Sequence, residues 1–161
     1  MRVDFYKADN FDQALRIFIE LAEYYLGRDR SADEVIAYNL RSNILGPESD
    51  VKLVLAFNEQ GEAIGLATLA LLYPAPNETC QLFIKELFVS QSMQRRGVGK
   101  YIMRFIAEYA HSRDCSRIDL TVDSDNVGAI DFYRSLGIST LSTKLYLRAE
   151  TEQIDDLAGH R

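Results

Sequence analysis

The sequence has little of what builds metal centres or disulfide frameworks. Its two cysteines, Cys80 and Cys115, lie far apart and match neither a disulfide framework nor a metal-ligand spacing. Each stands at the start of an expected strand, which favours a reduced, partly buried thiol over a bridge. The two histidines, His111 and His160, form no constellation with cysteines or carboxylates, so neither a metal nor a histidine triad is expected. Basic charge is in deficit: 18 Lys and Arg against 24 Asp and Glu give a net charge of −6. Such a chain has no general attraction for phosphate backbones, and nucleic-acid binding is not expected. Long apolar runs are lacking too. The longest, residues 63–76, is broken by Gly65, Thr68, Pro74 and Pro76 and is too short to cross a bilayer. The opening MRVDFYKADN has no apolar h-region. Together these absences predict a soluble, cytoplasmic protein with no membrane partner.

What is present suits a globular chain: 161 residues, 47% apolar and 26% charged, are enough for one domain with a buried core. The pattern predicts a short strand over residues 2–7, with Asp9 and Asn10 as N-cap candidates for a helix that Gly27 stops. Ala14, Ile17, Phe18, Leu21, Ala22 and Tyr25 form its apolar stripe. A second helix is predicted from Ser31, with Glu34 completing a capping box, to Gly46-Pro47. The period then changes to two. Residues 51–57 and 63–73 read as a hairpin, and 79–89 as a central strand. Further on come a helix over 98–112, a strand over 116–122, a helix over 126–136 and a last strand over 143–148. Residues 149–161 read as a loose polar tail behind a domain of residues 1–148. The order gives a mixed α/β sheet with helices on its faces.

The most informative stretch is Gln94-Arg95-Arg96-Gly97-Val98-Gly99-Lys100. Its glycines permit positive φ and close backbone approach, and the amides that follow open a helix. Unpaired N–H groups and the helix dipole make an anion site suited to a pyrophosphate, to which Arg95, Arg96 and Lys100 add charge. A P-loop needs glycine five residues before Gly99 and Ser or Thr after Lys100, where Gln94 and Tyr101 stand. A dinucleotide fingerprint needs a third glycine where Ile102 stands, and glycines closer to the preceding strand.

Gln94-x-x-Gly97-x-Gly99 after a strand containing Glu86-Leu87-Phe88-Val89 resembles the acyl-CoA motif of the GNAT superfamily of N-acyltransferases. Downstream, Asn126-x-x-Ala129-x-x-Phe132-Tyr133-x-x-x-Gly137 is similar to that family's second conserved segment, with Ile138 in place of the usual Phe. The two motifs cover about residues 82–138. The resemblance implies a single-domain α/β fold whose mixed, largely antiparallel sheet is splayed between its fourth and fifth strands, with helices on both faces. It also implies acetyl-CoA as co-substrate, a small-molecule primary amine as acceptor, direct transfer in a ternary complex, and a possible homodimer. For the dimer, Leu141, Leu145 and Leu147 supply an apolar alternation. A protein amine as acceptor, or an acyl-CoA-binding module without turnover, remains as an alternative.

By the same resemblance the pantetheine arm pairs with the backbone of Leu87, Phe88 and Val89, while Gln94, Arg95, Arg96, Gly97, Val98, Gly99 and Lys100 hold the pyrophosphate. Tyr133 is the candidate general acid for the leaving thiolate, or else packs beside Phe132. Asn126 caps its helix, bonds the cofactor arm, or does both. Lys85 and Glu86 are adjacent charges in an apolar strand and point to opposite faces. A charge there costs free energy unless paired or solvated at a cleft, so Glu86 is either the candidate general base or half of a structural salt bridge. Tyr24, Tyr25, Asp29, Arg30 and Tyr73 fall where the family builds acceptor pockets.

Overall fold

The computed structural model describes residues 1–159 and divides into two compact units, Met1–Thr121 and Val122–Arg161. His160 and the end of the expected tail lie outside the described residues. The first unit runs β1 (Arg2–Phe5), α1 (Phe11–Leu26), α2 (Asp33–Asn39), β2 (Lys52–Phe57), β3 (Ala63–Ala75), β4 (Thr79–Val89), α3 (Val98–Ser112) and β5 (Cys115–Leu120). The second holds α4 (Val127–Ser135) and α5 (Thr151–Ala158).

The sheet order is β1-β2-β3-β4-β5, antiparallel throughout except for the parallel β4–β5 pair. Period-two burial sorts the strand residues onto two faces. Leu53, Leu55, Phe57, Leu66 and Phe88 form one core with Ala14 and Ile17 of α1 and with Leu40, which opens a π-helical turn continuing α2 to Ile44. On the opposite face Val98, Ile102 and Ile106 of α3 are buried, and Phe5 stacks edge-on against Phe105 and Tyr109 at 5.1 and 4.9 Å. Gly65 is needed there: a Cβ would stand 3.0 Å from Ile102 Cδ1 and 3.0 Å from the Phe88 carbonyl oxygen. Helices therefore cover both faces of the sheet.

Four local expectations are corrected. Cys80 and Cys115 are joined in a disulfide, not left as thiols. The parallel register sets them directly opposite one another with Cα atoms 4.5 Å apart, a pairing that sequence distance conceals. The second helix starts at Asp33 with Ala32 at the N-cap and no side-chain cap, so Ser31 and Glu34 make no capping box; Arg30 orders that start instead, bonding Asp33 at 2.7 Å and Glu23 at 3.1 Å. Residues 143–148 form no strand, because a period-two segment becomes one only beside a partner edge. The tail is not loose over Thr151–Ala158: α5 is closed by a capping box between Glu150 and Gln153.

Candidate functional site

Strand β4 creates the site by losing a neighbour halfway along. Its pairing with β5 runs from Cys80↔Cys115 to Ile84↔Leu120 and stops, while its pairing with β3 continues to Gly65↔Val89. The register against β3 slips between Thr68↔Glu86 and Leu69↔Ile84, which leaves Lys85 as an unopposed, exposed bulge residue. Beyond it, Glu86–Val89 has β3 on one side and an open edge on the other. The Ser90 N–H donates to Ile64 O at 3.0 Å on the β3 side. Antiparallel alternation therefore commits the Glu86 and Phe88 backbones to β3 and turns those of Leu87 and Val89 to the open edge. The Val89 carbonyl there accepts from Gln94 Nε2 at 3.2 Å.

The glycine loop continues from that edge. Glu20 of α1 anchors its start, accepting from the Ser90 hydroxyl at 2.7 Å and the Gln91 N–H at 3.0 Å. Arg95 has φ +59°, unusual for a residue with a side chain, and Gly97 has φ +83° at the N-cap of α3. No side chain caps this helix, and its first intrahelical bond is Tyr101 N–H to Gly97 O at 3.2 Å. The amides of Val98, Gly99 and Lys100 thus have no intrahelical acceptor, and the positive end of the helix dipole points the same way. Gln94, Arg95, Arg96 and Lys100 are exposed around them, whereas the Val98 side chain is buried under the sheet. A Cβ on Gly97 would meet nothing within 4 Å, so the N-cap itself faces open space. Uncapped amides, a dipole and flanking cations fit a pyrophosphate, and the open strand edge fits an amide-bearing arm.

Glu86 is half-buried at the start of that edge. Burial pushes its carboxyl above the ordinary value, opposed by the Tyr25 hydroxyl, the positive charge of Lys85 and the Leu87 N–H. Tyr25 Oη donates to Glu86 Oε1 at 3.1 Å. Tyr24 lies edge-on to Tyr25 at 5.2 Å and tilted against Phe88 at 5.7 Å, so the end of α1 presents two phenols to β4. Of the other acceptor-region candidates, Arg30 is held by Glu23 and Asp33, Asp29 lies in the turn after α1, and Tyr73 is exposed on β3.

In the second unit, Asn126 caps α4, its Oδ1 accepting from the Ala129 N–H at 3.0 Å, a contact worth about 1 kcal/mol. Tyr133 stands two turns further on, its ring edge-on to Phe132 at 5.1 Å. Gly137 ends the segment at φ +80°, and the Ile138 N–H bonds the Tyr133 carbonyl at 3.1 Å. Among the described residues no cluster of His, Cys, Asp and Glu could hold a metal ion, and no helix is long and apolar enough to cross a membrane.

A splayed mixed sheet followed by an uncapped glycine-loop helix defines a class of fold, and the comparisons agree. The acetyltransferase (GNAT) family model matches residues 14–138, and the chain belongs to that family. It is similar to the solved structure of an integron cassette protein from the mobile metagenome of V. cholerae, with 32% identity, a TM-score of 0.92, and 98% of this chain and 96% of that one covered. It is 29% identical over 109 residues to a streptothricin acetyltransferase of Streptomyces lavendulae, covering 66% of this chain and 56% of that protein. Against a thialysine N-epsilon-acetyltransferase of Bos taurus it is 30% identical over 81 residues, 48% of each. The match spans about half the length of these curated relatives.

Glu20 was not among the residues singled out from sequence; as a helix glutamate its bond to a loop 70 residues on has no local signal. Its replacement by alanine is expected to cost about 1.5–3 kcal/mol, the range for hydrogen bonds to a charged group. Urea denaturation of Glu20→Ala against wild type measures it, and equal stability would show that the carboxylate does not hold the loop.

Proposed function

We propose that the chain is an N-acetyltransferase that moves an acetyl group from acetyl-CoA to a small primary amine by direct attack in a ternary complex. The observation that carries this reading is the half-open β4 strand running into an uncapped, glycine-initiated helix beside a half-buried carboxylate. When bound, acetyl-CoA supplies an acetyl group activated as a thioester. The amides of Val98, Gly99 and Lys100, with Gln94, Arg95, Arg96 and Gly97 around them, bind the pyrophosphate. The Leu87 C=O and the Val89 N–H at the open edge are offered to the arm, and Phe88 fixes their direction by packing in the α1-side core. Asn126 holds the start of α4 and contributes a side-chain amide to the same arm. Glu86 takes a proton from the acceptor ammonium, directly or through water; burial helps, since it makes the carboxylate a stronger base than one in solvent. The freed amine attacks the thioester carbon, and as the carbon–sulfur bond breaks Tyr133 gives its phenolic proton to the sulfur; the second proton leaves the new amide nitrogen for solvent, from which the phenolate regains its own. The relatives named for streptothricin and thialysine support an amine acceptor of small-molecule size.

Pairing of two copies belongs to the same reading. Leu145 and Leu147 are 88% and 85% exposed in a segment without strand partners, which is apolar surface a second copy would cover. Light scattering at micromolar concentration is expected to give a dimer for wild type and a monomer for Leu145→Asp; a monomeric wild type would exclude it.

CoA or acetyl-CoA is expected to raise the melting temperature by mass action, and Gly97→Leu to abolish the shift, because a side chain at φ +83° strains the N-cap from which the amides project. A full shift in that variant would place the cofactor elsewhere. Thiol release across a panel of amines tests turnover itself. Tyr133→Phe keeps the ring against Phe132 and removes one hydroxyl, so it is expected to lower kcat by about 10²–10⁴-fold with acetyl-CoA affinity unchanged. Equal turnover, with chemistry limiting, would remove Tyr133 from the mechanism.

A further inference from the structure

We propose that Tyr25 is a positioning residue whose hydroxyl fixes the Glu86 carboxylate at the open edge of β4 to accept a proton from the incoming ammonium. The inference rests on the reading of Glu86 as the base. Its ground is a two-point clamp between the end of α1 and β4. Glu86 and Phe88 are two residues apart and so lie on one face of the strand. Consecutive tyrosines of α1 meet them: the Tyr25 hydroxyl bonds Glu86 Oε1 at 3.1 Å, and the Tyr24 ring packs against Phe88 at 5.7 Å. The Tyr24 ring also meets the Tyr25 ring edge-on at 5.2 Å, which restrains a phenol that is otherwise 59% exposed.

The chemistry of this pair suits a cationic amine. Glu86 offers a carboxylate to the cationic nitrogen, and the Tyr24 and Tyr25 rings beside it add aromatic surface that attracts a cation. The groups that act on Glu86 come from three elements. Tyr25 faces it from α1, Lys85 and the Leu87 N–H from β4, and Thr68 opposes it in the register of β3. Of these Lys85 alone is charged, and like the Tyr25 hydroxyl it favours the carboxylate.

The sign of the effect follows. The Tyr25 hydrogen bond stabilises the ionised carboxyl, so its loss raises the pH at which Glu86 ionises. In Tyr25→Phe the acid limb of kcat/KM for the amine is expected to move up by about 0.5–1 pH unit, and activity to recover above it. The amine's own deprotonation is common to both enzymes, so the difference between their profiles reports the protein. Carbon-13 NMR titration of the Glu86 carboxyl in the free protein, wild type against Tyr25→Phe, is expected to shift by the same amount. A loss of activity equal at every pH, with an unmoved Glu86 titration, would reduce Tyr25 to a packing role and overturn the proposal. Glu86→Gln separates the two layers: full activity in that variant overturns the base reading and the proposal with it. A large loss there, with an unmoved limb in Tyr25→Phe, overturns the proposal alone.

Discussion

Everything else in the site depends on β4 having a full-length partner on one side and a half-length partner on the other. A strand bonded along both edges has no backbone groups to offer, and one without partners would not hold its place. Pairing with β3 as far as Val89 gives rigidity, and the end of pairing with β5 at Ile84 and Leu120 gives access. The Lys85 bulge falls at the transition, adding local twist where the two neighbours part. At the other end, Cys80 and Cys115 are covalently joined, so β4 and β5 are held together where they begin and diverge only afterwards.

The same strand orders what lies on either side of it. Its last residues lead directly into the loop that Glu20 fastens to α1, and its α1-side residues Glu86 and Phe88 meet the two tyrosines at that helix's end. Helix α1 thus touches the glycine loop through one carboxylate and the candidate base through one phenol. Five positions separate Glu20 from Tyr25, seven or eight ångströms of rise. The glycine loop and the open end of β4 are thereby referred to one helix, which is how small loops can be placed precisely without a large core of their own.

Much of this was legible in the residues and some was not, for physical reasons. The strand over residues 79–89 and the helix over 98–112 carry their own periodicity, and both lie where the pattern sets them. Asn126 was legible because capping is local: its acceptor lies three residues away. The disulfide was not, since two cysteines become neighbours only through the parallel register of β4 and β5. Nor was the fate of residues 143–148, whose alternation is real but whose strand depends on an edge that sequence cannot supply. The expected capping box at Ser31 failed by competition: Arg30 bridges Glu23 and Asp33 and carries the chain into α2 two residues later. For Glu86, sequence gave the dilemma of a mid-strand charge but not its resolution, because the partner is a tyrosine 61 positions away.

That resolution has a thermodynamic side that separates Glu86 from the ordinary carboxylates of the fold. Asp4 is held below its usual value, chiefly by its hydrogen bond to Lys7, against a smaller effect of burial. A depressed carboxyl adds stability above its unfolded value and loses it as pH falls through the folded one. Glu86 runs the other way: burial outweighs the Tyr25 hydroxyl, Lys85 and the Leu87 N–H. Folding then favours its neutral form, so its ionisation opposes stability above the folded value, and the opposition vanishes as pH falls below the unfolded one. A carboxyl kept only for structure would gain by exchanging this position for a solvated one. A group that must take a proton from an ammonium gains by staying, since the burial that weakens the fold at neutral pH is what strengthens the base. Tyr25, Lys85 and the Leu87 N–H limit that cost without cancelling it, and the Tyr25 hydrogen bond gives the carboxyl a fixed neighbour at the open edge.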